Sequence, residues 1–364
     1  MNEVILSVRN LNVKFTLRGK VLHAIRNVNV DVCRGESLAI VGESGSGKSV
    51  LNKNFIGLLD PNGFIDGGEI RYYTDNKKFV GMLKQDEEGR SFVDLAAVKK
   101  EKDWLKIRGS EICMIPQDPM TSLNPLKTIG AQLVEAIKLH RGLKGADAKA
   151  AAIAILDDVR IDDPKRRYSQ YPHELSGGMR QRIVIAIAIA CRPQILICDE
   201  PTTALDVTIQ AQMLALLKEL KEKYSLTIIF ITHDLGVVAN IAQRVAVMYA
   251  GDIIEIGLED EVFYSPAHPY TWALLSSLPQ LSKKGDTLFA IKGTPPNLYK
   301  EVVGDPFAQR NPNALKIDHM LTPPYFDITP THKARTWLLD PHAPKVDPPE
   351  ILKNIRTLGG NINE

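Results

Sequence analysis

The segment GESGSGKS, residues 42–49, combines the residue types that hold a phosphate chain. Its glycines let backbone N–H groups wrap the phosphates, the Lys48 ammonium can reach the β- and γ-phosphates, and the Ser49 hydroxyl can ligate Mg²⁺. The apolar run SLAIV precedes it and a plausible helix follows, which is the context of a phosphate-binding loop and not of a mere glycine-rich turn. The predicted nucleotide contacts here are Gly42, Glu43, Ser44, Gly45, Ser46, Gly47, Lys48, Ser49 and Val50.

Two adjacent carboxylates end a second apolar run, ILICDE. A buried strand that delivers charges to its carboxyl end is costly unless they meet a metal or a substrate. We therefore predict that Asp199 is a Mg²⁺ partner, directly or through water. Glu200 is then placed to polarise the water that attacks the γ-phosphate, as a general base. The alternative is that both carboxylates cap the next turn.

Two single polar residues follow further apolar runs: Gln117 in MIPQDP and His233 in IIFITHD. Taken alone, a histidine at a strand end is more often structural, and a glutamine before a turn commonly faces solvent. Beside the two phosphate-site segments they become candidates. We assign Gln117 to the metal and the attacking water, and His233 to the γ-phosphate.

The stretch YPHELSGGMRQR precedes the apolar run IVIAIAIA, so Ser176, Gly177 and Gly178 lie at the predicted start of a helix. The first backbone N–H groups of a helix lack intrahelical partners, and this end attracts anions. Taken alone, the segment favours a Ser-capped helix and nothing more.

The elements that must position these residues alternate along the chain. Strand-like alternation opens it, and β-rich runs at 37–41, 195–198 and 227–231 alternate with helical stretches, which predicts an α/β domain with a parallel sheet. Residues 74–108 are charged and lack a clear period, as in a surface hairpin or loop. Residues 129–159 predict a helical lobe that carries the SGG segment at its far end.

The overall composition limits the classes of function. The chain has 364 residues, enough for one large domain and a smaller appendage, and its net charge of +2 does not favour a polyanion such as DNA as the main ligand. Its longest apolar run, residues 183–191, is about half of the ~20 residues that a membrane-spanning helix needs. No signal peptide is evident, so we expect a cytosolic chain with reduced, packed cysteines.

The order of these motifs resembles ABC-type ATPases over residues 1 to about 250. The matching segments are the phosphate loop, Gln117, LSGGMRQ, ILICDE, ALD at 204–206 and THD at 232–234. The resemblance implies a P-loop nucleotide-binding domain with a parallel-sheet core, an antiparallel β subdomain and a helical subdomain at about 118–190.

The resemblance also assigns further nucleotide contacts. Ser176, Gly177 and Gly178 would bind the γ-phosphate of ATP held by the phosphate loop of the opposite subunit, so that two domains enclose two nucleotides. Phe15 would stack on adenine, although a core phenylalanine is the close alternative. Asp206 joins the predicted contacts, and ATP with Mg²⁺ are the implied cofactors.

Narrower motifs, AHPYTWALLSSLP and IKGTPPNL among them, are similar to ATP-binding subunits of bacterial oligopeptide and dipeptide permeases. Many such relatives carry a tail of the form GCxFxPRC suited to an iron–sulfur cluster. Here the stretch is GDPFAQRN, with Asp305 and Asn311 at the cysteine positions and no cysteine after Cys198. Because such clusters need thiolates, we predict that this chain has no cluster.

The resemblance implies a division into an ATPase domain, residues 1–255, and a small proline-rich extension, residues 256–364. It also implies partners: two membrane permease subunits, a second ATPase that is related or identical, and an extracellular solute-binding protein. The chain would lie at the cytoplasmic face of the bacterial plasma membrane. The competing readings are nickel or oligosaccharide import, a soluble ABC ATPase acting on nucleic acid or ribosomes, and a P-loop kinase.

Overall fold

The computed structural model describes residues 3–118, 122–202, 206–278 and 291–354. The strands in these ranges are β1 (Val4–Leu17), β2 (Lys20–Cys33), β3 (Ser37–Val41), β4 (Gly63–Tyr73), β5 (Leu83–Gln85), β6 (Ser91–Asp94), β7 (Ile112–Ile115), β8 (Ile195–Asp199), β9 (Thr227–Thr232), β10 (Arg244–Tyr249), β11 (Asp252–Leu258), β12 (Phe326–Asp327) and β13 (Lys333–Ala334).

The α-helices of the same ranges are short in the C-terminal part and longer in the middle of the chain. They are α1 (Lys48–Phe55), α2 (Glu101–Trp104), α3 (Ile129–Arg141), α4 (Gly145–Asp158), α5 (Pro164–Arg167), α6 (Gly177–Ala190), α7 (Val207–Tyr224), α8 (Leu235–Val238), α9 (Glu259–Tyr264) and α10 (Pro269–Ser276). No helix within the described ranges has the length and apolar character needed to cross a membrane.

The larger sheet carries the predicted parallel core. Across the described chain its strand order is β12-β13-β11-β10-β3-β9-β8-β7, and the pairs from β10 to β7 are all parallel. All residues of β3 and β9 are buried, as expected for parallel strands covered on both faces. Because these strands run in one direction, their carboxyl ends meet at one edge of the sheet. The predicted α/β fold is confirmed.

The smaller sheet is antiparallel, with the order β2-β1-β4-β6-β5 among the described strands. The charged segment 74–108 contributes to it: β5 and β6 pair as the predicted hairpin, and β6 also pairs with β4. This segment is not wholly at the surface, since Phe79, Leu95 and Trp104 are buried in the core. A segment without a clear period can therefore still extend a sheet and bury side chains.

The helical lobe has the predicted position but is interrupted. α3 ends at Gly142, which has a φ of 70°, a left-handed conformation that glycine adopts without strain. α4 then packs beside α3, and both contact α6. Buried side chains that include Leu133, Leu156 and Ile185 join the three helices in one apolar cluster. This cluster supports the start of α6, where the SGG segment lies.

The C-terminal part, which comprises the described residues 256–278 and 291–354, packs against the parallel sheet. Tyr270, Trp272 and Phe307 are buried in one cluster with Val41 and Tyr249 of the sheet strands. β13 also pairs with β11 and so extends the sheet. As the prolines predict, this part consists of short helices, short strands and turns. Its packing brings it close to the segment that follows β3.

Candidate functional site

The predicted phosphate loop connects β3 to α1 and lies against the backbone of neighbouring strands. At Gly42, which has a φ of 152°, an added Cβ would approach the Met248 carbonyl oxygen to 2.1 Å. At Gly47, with a φ of 105°, it would lie 3.0 Å from the Ala24 carbonyl oxygen. Both positions therefore require glycine. The loop is a close-fitting backbone turn whose shape suits a phosphate chain.

The Lys48 side chain is buried inside this loop. Its Nζ donates hydrogen bonds to the carbonyl oxygens of Gly42 at 2.8 Å and Glu43 at 2.9 Å. Burial lowers the pKa of Lys48, and the nearby carboxylates of Glu200, Asp199 and Glu43 oppose that shift. The loop thus holds a cation at the place where phosphates would bind.

Asp199 ends β8 beside the start of α1. The Ser49 hydroxyl donates to its Oδ1 at 3.2 Å. Burial raises the pKa of Asp199, and the hydrogen bond from Ser49 opposes that rise. In the described part of the chain no cluster of three or more His, Cys, Asp or Glu side chains could hold a metal by itself. The Ser49 and Asp199 oxygens nevertheless fit Mg²⁺, which commonly uses one or two protein ligands together with substrate phosphates and water.

The Glu200 carboxylate lies between the side chains of Gln117 and His233. Gln117 Nε2 donates to Glu200 Oε2 at 2.9 Å, and His233 Nδ1 lies 3.1 Å from Glu200 Oε1. Glu200 has a φ of 46°, in the left-handed region that is unfavourable for a residue with a Cβ. Strained backbone of this kind is frequent at functional sites. The ends of β7, β8 and β9 thus bring Gln117, Glu200 and His233 together.

A cleft of about 890 Å³ joins these groups. The phosphate loop, Gln117, Glu200 and His233 line it. Phe15 lines it as well, although the residue is only 7% exposed and packs in the apolar core. Phe15 is therefore both a core residue and a residue of the cleft wall, so its position is compatible with either of the two predicted roles. Leu274 and Leu298 also face the cleft, and sequence reasoning did not include them.

Other predicted contacts lie elsewhere on the chain. Ser176 caps α6 by accepting a hydrogen bond from the Met179 N–H at 3.4 Å, and Asp206 caps α7 in the same way. Ser176, Gly177 and Asp206 are exposed, and the described residues that line the cleft do not include them or Gly178. Ala204 and Leu205 of the ALD segment lie outside the described residues. Within one chain, these predicted contacts therefore do not lie at the cleft.

The structure adds two contacts from the C-terminal part to the phosphate loop. The Glu43 N–H donates to the Tyr270 hydroxyl at 2.8 Å, and the Glu43 carboxylate forms an ion pair with Arg310 at 2.6 Å. Tyr270 lies in AHPYTWALLSSLP and Arg310 in GDPFAQRN, so both belong to segments that the sequence analysis singled out. No sequence pattern connects either segment to Glu43.

Comparison with protein families gives two matches within the chain. Residues 25–203 match the family described as "ABC transporter". Residues 254–317 match the family described as "Oligopeptide/dipeptide transporter, C-terminal region". The first match includes the phosphate loop and Glu200, and the second includes Tyr270 and Arg310.

Curated relatives match the chain along nearly its whole length. The oligopeptide transport ATP-binding protein AmiE of Streptococcus pneumoniae is 54% identical, and the alignment covers 97% of this chain and 94% of that protein. The oligopeptide transport ATP-binding protein OppD of Bacillus subtilis is 50% identical, with 96% and 93% covered. Among solved structures, the ATP-binding cassette MJ0796, a dimer bound to ADP and Pi, gives a TM-score of 0.57 at 26% identity and covers 70% of this chain and 98% of its own.

Proposed function

Since this chain belongs to the ABC transporter family, in the branch of the oligopeptide and dipeptide transport ATP-binding proteins, we propose that it is the ATP-hydrolysing motor subunit of a bacterial importer of oligopeptides. The observation that carries the proposal is the convergence of Lys48, Ser49 and Glu200 on one cleft, with Asp199 hydrogen-bonded to Ser49. It joins a phosphate-binding loop to a carboxylate base, the two parts that nucleotide hydrolysis needs.

The residues of the cleft take separate roles in this proposal. The phosphate loop and Lys48 bind the β- and γ-phosphates, while Glu200 accepts the proton of the attacking water. Gln117 and His233 hold the two oxygens of Glu200 and so orient that base. Ser49, Asp199 and Gln117 would hold Mg²⁺, which when bound neutralises charge on the phosphates.

The second half of the site comes from another ATPase subunit. Ser176, Gly177 and Gly178 present the N-terminal end of the 14-residue helix α6 to solvent, and an added Cβ at Gly177 would meet no atom within 4 Å. Such an open helix end suits a phosphate group. We assign it, with Asp206, to the ATP held by the opposite subunit. Closure and opening of this pair drive two permease subunits.

The assembly that we propose contains, besides this chain, the two permease subunits and a second ATPase. The second ATPase is a related chain or a second copy, since this chain carries every motif itself. An extracellular solute-binding protein delivers the peptide, and no nucleic acid takes part. The chain lies at the cytoplasmic face of the plasma membrane. In this proposal the chain divides into an ATPase domain, residues 1–255, and a C-terminal extension, residues 256–364.

Deletion of the gene tests the cargo. We expect an amino-acid auxotroph that lacks it to stop growing on tetra- or pentapeptides, because the permease has lost its energy source. Growth on the free amino acid is the control and should be unchanged. A loss of nickel or oligosaccharide uptake with normal growth on peptides would keep the motor role and overturn the peptide assignment. Normal uptake of all three would overturn import itself.

Iron analysis tests the prediction that the C-terminal tail holds no iron–sulfur cluster. The positions of the missing cysteines are occupied by Asp305 and Asn311, both buried, whose side-chain oxygens accept backbone N–H groups of Phe307 and Asn313. These are turn-forming oxygen ligands rather than thiolates, so they do not fit an iron–sulfur cluster. Protein purified without air should show no stoichiometric iron and no visible cluster absorbance. About one four-iron cluster per chain would contradict this prediction.

A further inference from the structure

The C-terminal part of the chain holds the phosphate loop at Glu43. Two terminal nitrogens of Arg310 donate to the Glu43 carboxylate, Nη1 to Oε2 at 2.6 Å and Nη2 to Oε1 at 3.0 Å. We infer that Arg310 is a positioning residue for the phosphate loop: it neutralises Glu43 and fixes its orientation so that the loop can accept nucleotide phosphates. This inference rests on the proposed ATP binding.

Arg310 is itself rigidly placed. Its side chain is 4% exposed, and its Nε donates to the Lys292 carbonyl oxygen at 3.0 Å. Nη1 also donates to the Tyr249 hydroxyl at 3.2 Å, and the guanidinium lies 5.8 Å from the centre of the Phe307 ring. A buried arginine whose Nε and both terminal nitrogens donate hydrogen bonds has little conformational freedom left. Glu43 is therefore held by a fixed partner, unlike a carboxylate in a surface ion pair.

Glu43 needs such a partner because of its position. Its carbonyl oxygen accepts a hydrogen bond from Lys48 Nζ at 2.9 Å, so the residue is part of the loop that holds the phosphate-binding cation. An unpaired carboxylate there would repel the several negative charges of ATP, and this repulsion is strong where solvent is partly excluded. It would also compete with the phosphates for Lys48. Pairing with Arg310 removes both effects.

The backbone of Glu43 has a second contact with the same part of the chain. Its N–H donates to the Tyr270 hydroxyl at 2.8 Å, and Tyr270 is buried against Tyr249 and Phe307. Tyr270 and Arg310 lie 227 and 267 residues after Glu43 in sequence. Two independent contacts with one loop residue make the C-terminal part a support for the nucleotide site.

The test measures MgATP binding by calorimetry with the full chain. We expect Arg310→Ala to weaken binding about tenfold, because a buried charged partner is lost. In ATPase assays its KM for ATP should rise while kcat changes little. The double variant Glu43→Gln with Arg310→Ala should bind MgATP at least about threefold more tightly than Arg310→Ala alone, because the uncompensated charge is gone. Arg310→Lys keeps the positive charge but cannot form the two-pronged contact, so its affinity for MgATP should lie between those of wild type and Arg310→Ala.

Arg335→Ala is the matched control. Arg335 also lies in the C-terminal part and pairs with a buried aspartate, Asp252, at 2.6 Å, but it does not line the nucleotide cleft. It should lower the melting temperature without changing the affinity for MgATP. If Arg310→Ala fails to fold, the comparison of Arg310→Gln, which keeps bulk but not charge, with and without Glu43→Gln replaces it, and restored affinity in the double variant is the expected result.

The outcomes separate this inference from the proposed function. If the wild-type chain did not bind MgATP, the proposed function would be wrong. If wild type bound MgATP and Arg310→Ala bound equally well, the positioning role would be wrong. The role would also be wrong if Arg335→Ala weakened binding as much as Arg310→Ala, or if Glu43→Gln restored no affinity in the variant that lacks the Arg310 charge.

Discussion

Replacement of Glu200 by glutamine should reduce ATP hydrolysis by about 10²–10⁴-fold, the usual contribution of a positioned general base. Glutamine has nearly the same shape as glutamate and keeps one oxygen, which can still accept the hydrogen bond from Gln117. It cannot accept the proton of the attacking water. We therefore expect the variant to bind MgATP normally and to turn over poorly, measured as phosphate release and as nucleotide affinity.

Lys48→Ala is the matched comparison, because it should fail for a different reason. We assign the buried ammonium of Lys48 to the phosphates, so its removal should abolish binding as well as hydrolysis. The two variants should thus differ in nucleotide affinity: Glu200→Gln should keep it and Lys48→Ala should lose it. Hydrolysis by Glu200→Gln at the wild-type rate, with ATP bound, would contradict the assignment of the base.

Ser176→Arg should block hydrolysis of the ATP that is held by the opposite subunit while this chain still binds ATP. Gly177 and Ser176 are exposed at the start of α6, and the larger side chain would occupy the place of the phosphate. Loss of one positioned group at such a site reduces turnover by about 10²-fold or more. The measurement is ATPase activity of the assembled complex together with nucleotide binding to the isolated variant chain.

Thr128→Arg is the control for this change. Thr128 caps α3 in the same helical lobe, where its side chain accepts a hydrogen bond from the Ala131 N–H. Both substitutions remove a helix cap, which costs about 1 kcal/mol. Thr128→Arg should therefore lower stability by a similar amount and keep turnover. An unchanged ATPase rate of the complex with Ser176→Arg would exclude a shared site.

Much of the cleft could be predicted because each of its parts is local in sequence. The loop at 42–49 and the pair Asp199 and Glu200 each follow an apolar strand, and the carboxyl ends of parallel strands share one edge of the sheet. The same rule places Gln117 and His233 beside Glu200. The alternation of strands and helices was enough to infer the parallel sheet on which this edge depends.

The segment 74–108 shows where local pattern is insufficient. It has no period that marks a strand, yet β5 and β6 form a hairpin because β4 offers an edge for pairing and the core accepts Phe79 and Leu95. Strand formation here depends on a neighbour that is distant in sequence rather than on propensity. The break between α3 and α4 depends less on distant neighbours, because Gly142 ends α3 and a glycine is a local signal for a helix end.

The sequence by itself determined the chemistry that we propose for this protein: a phosphate loop, a carboxylate base and a helix start open to an anion, each set by a few consecutive residues. Only the tertiary structure decided how these groups are held. It buried Phe15 in the core while leaving it at the cleft, and it joined Tyr270 and Arg310 to Glu43. Such contacts cross more than two hundred residues and depend on how a proline-rich segment packs on a sheet, for which local periodicity carries no signal.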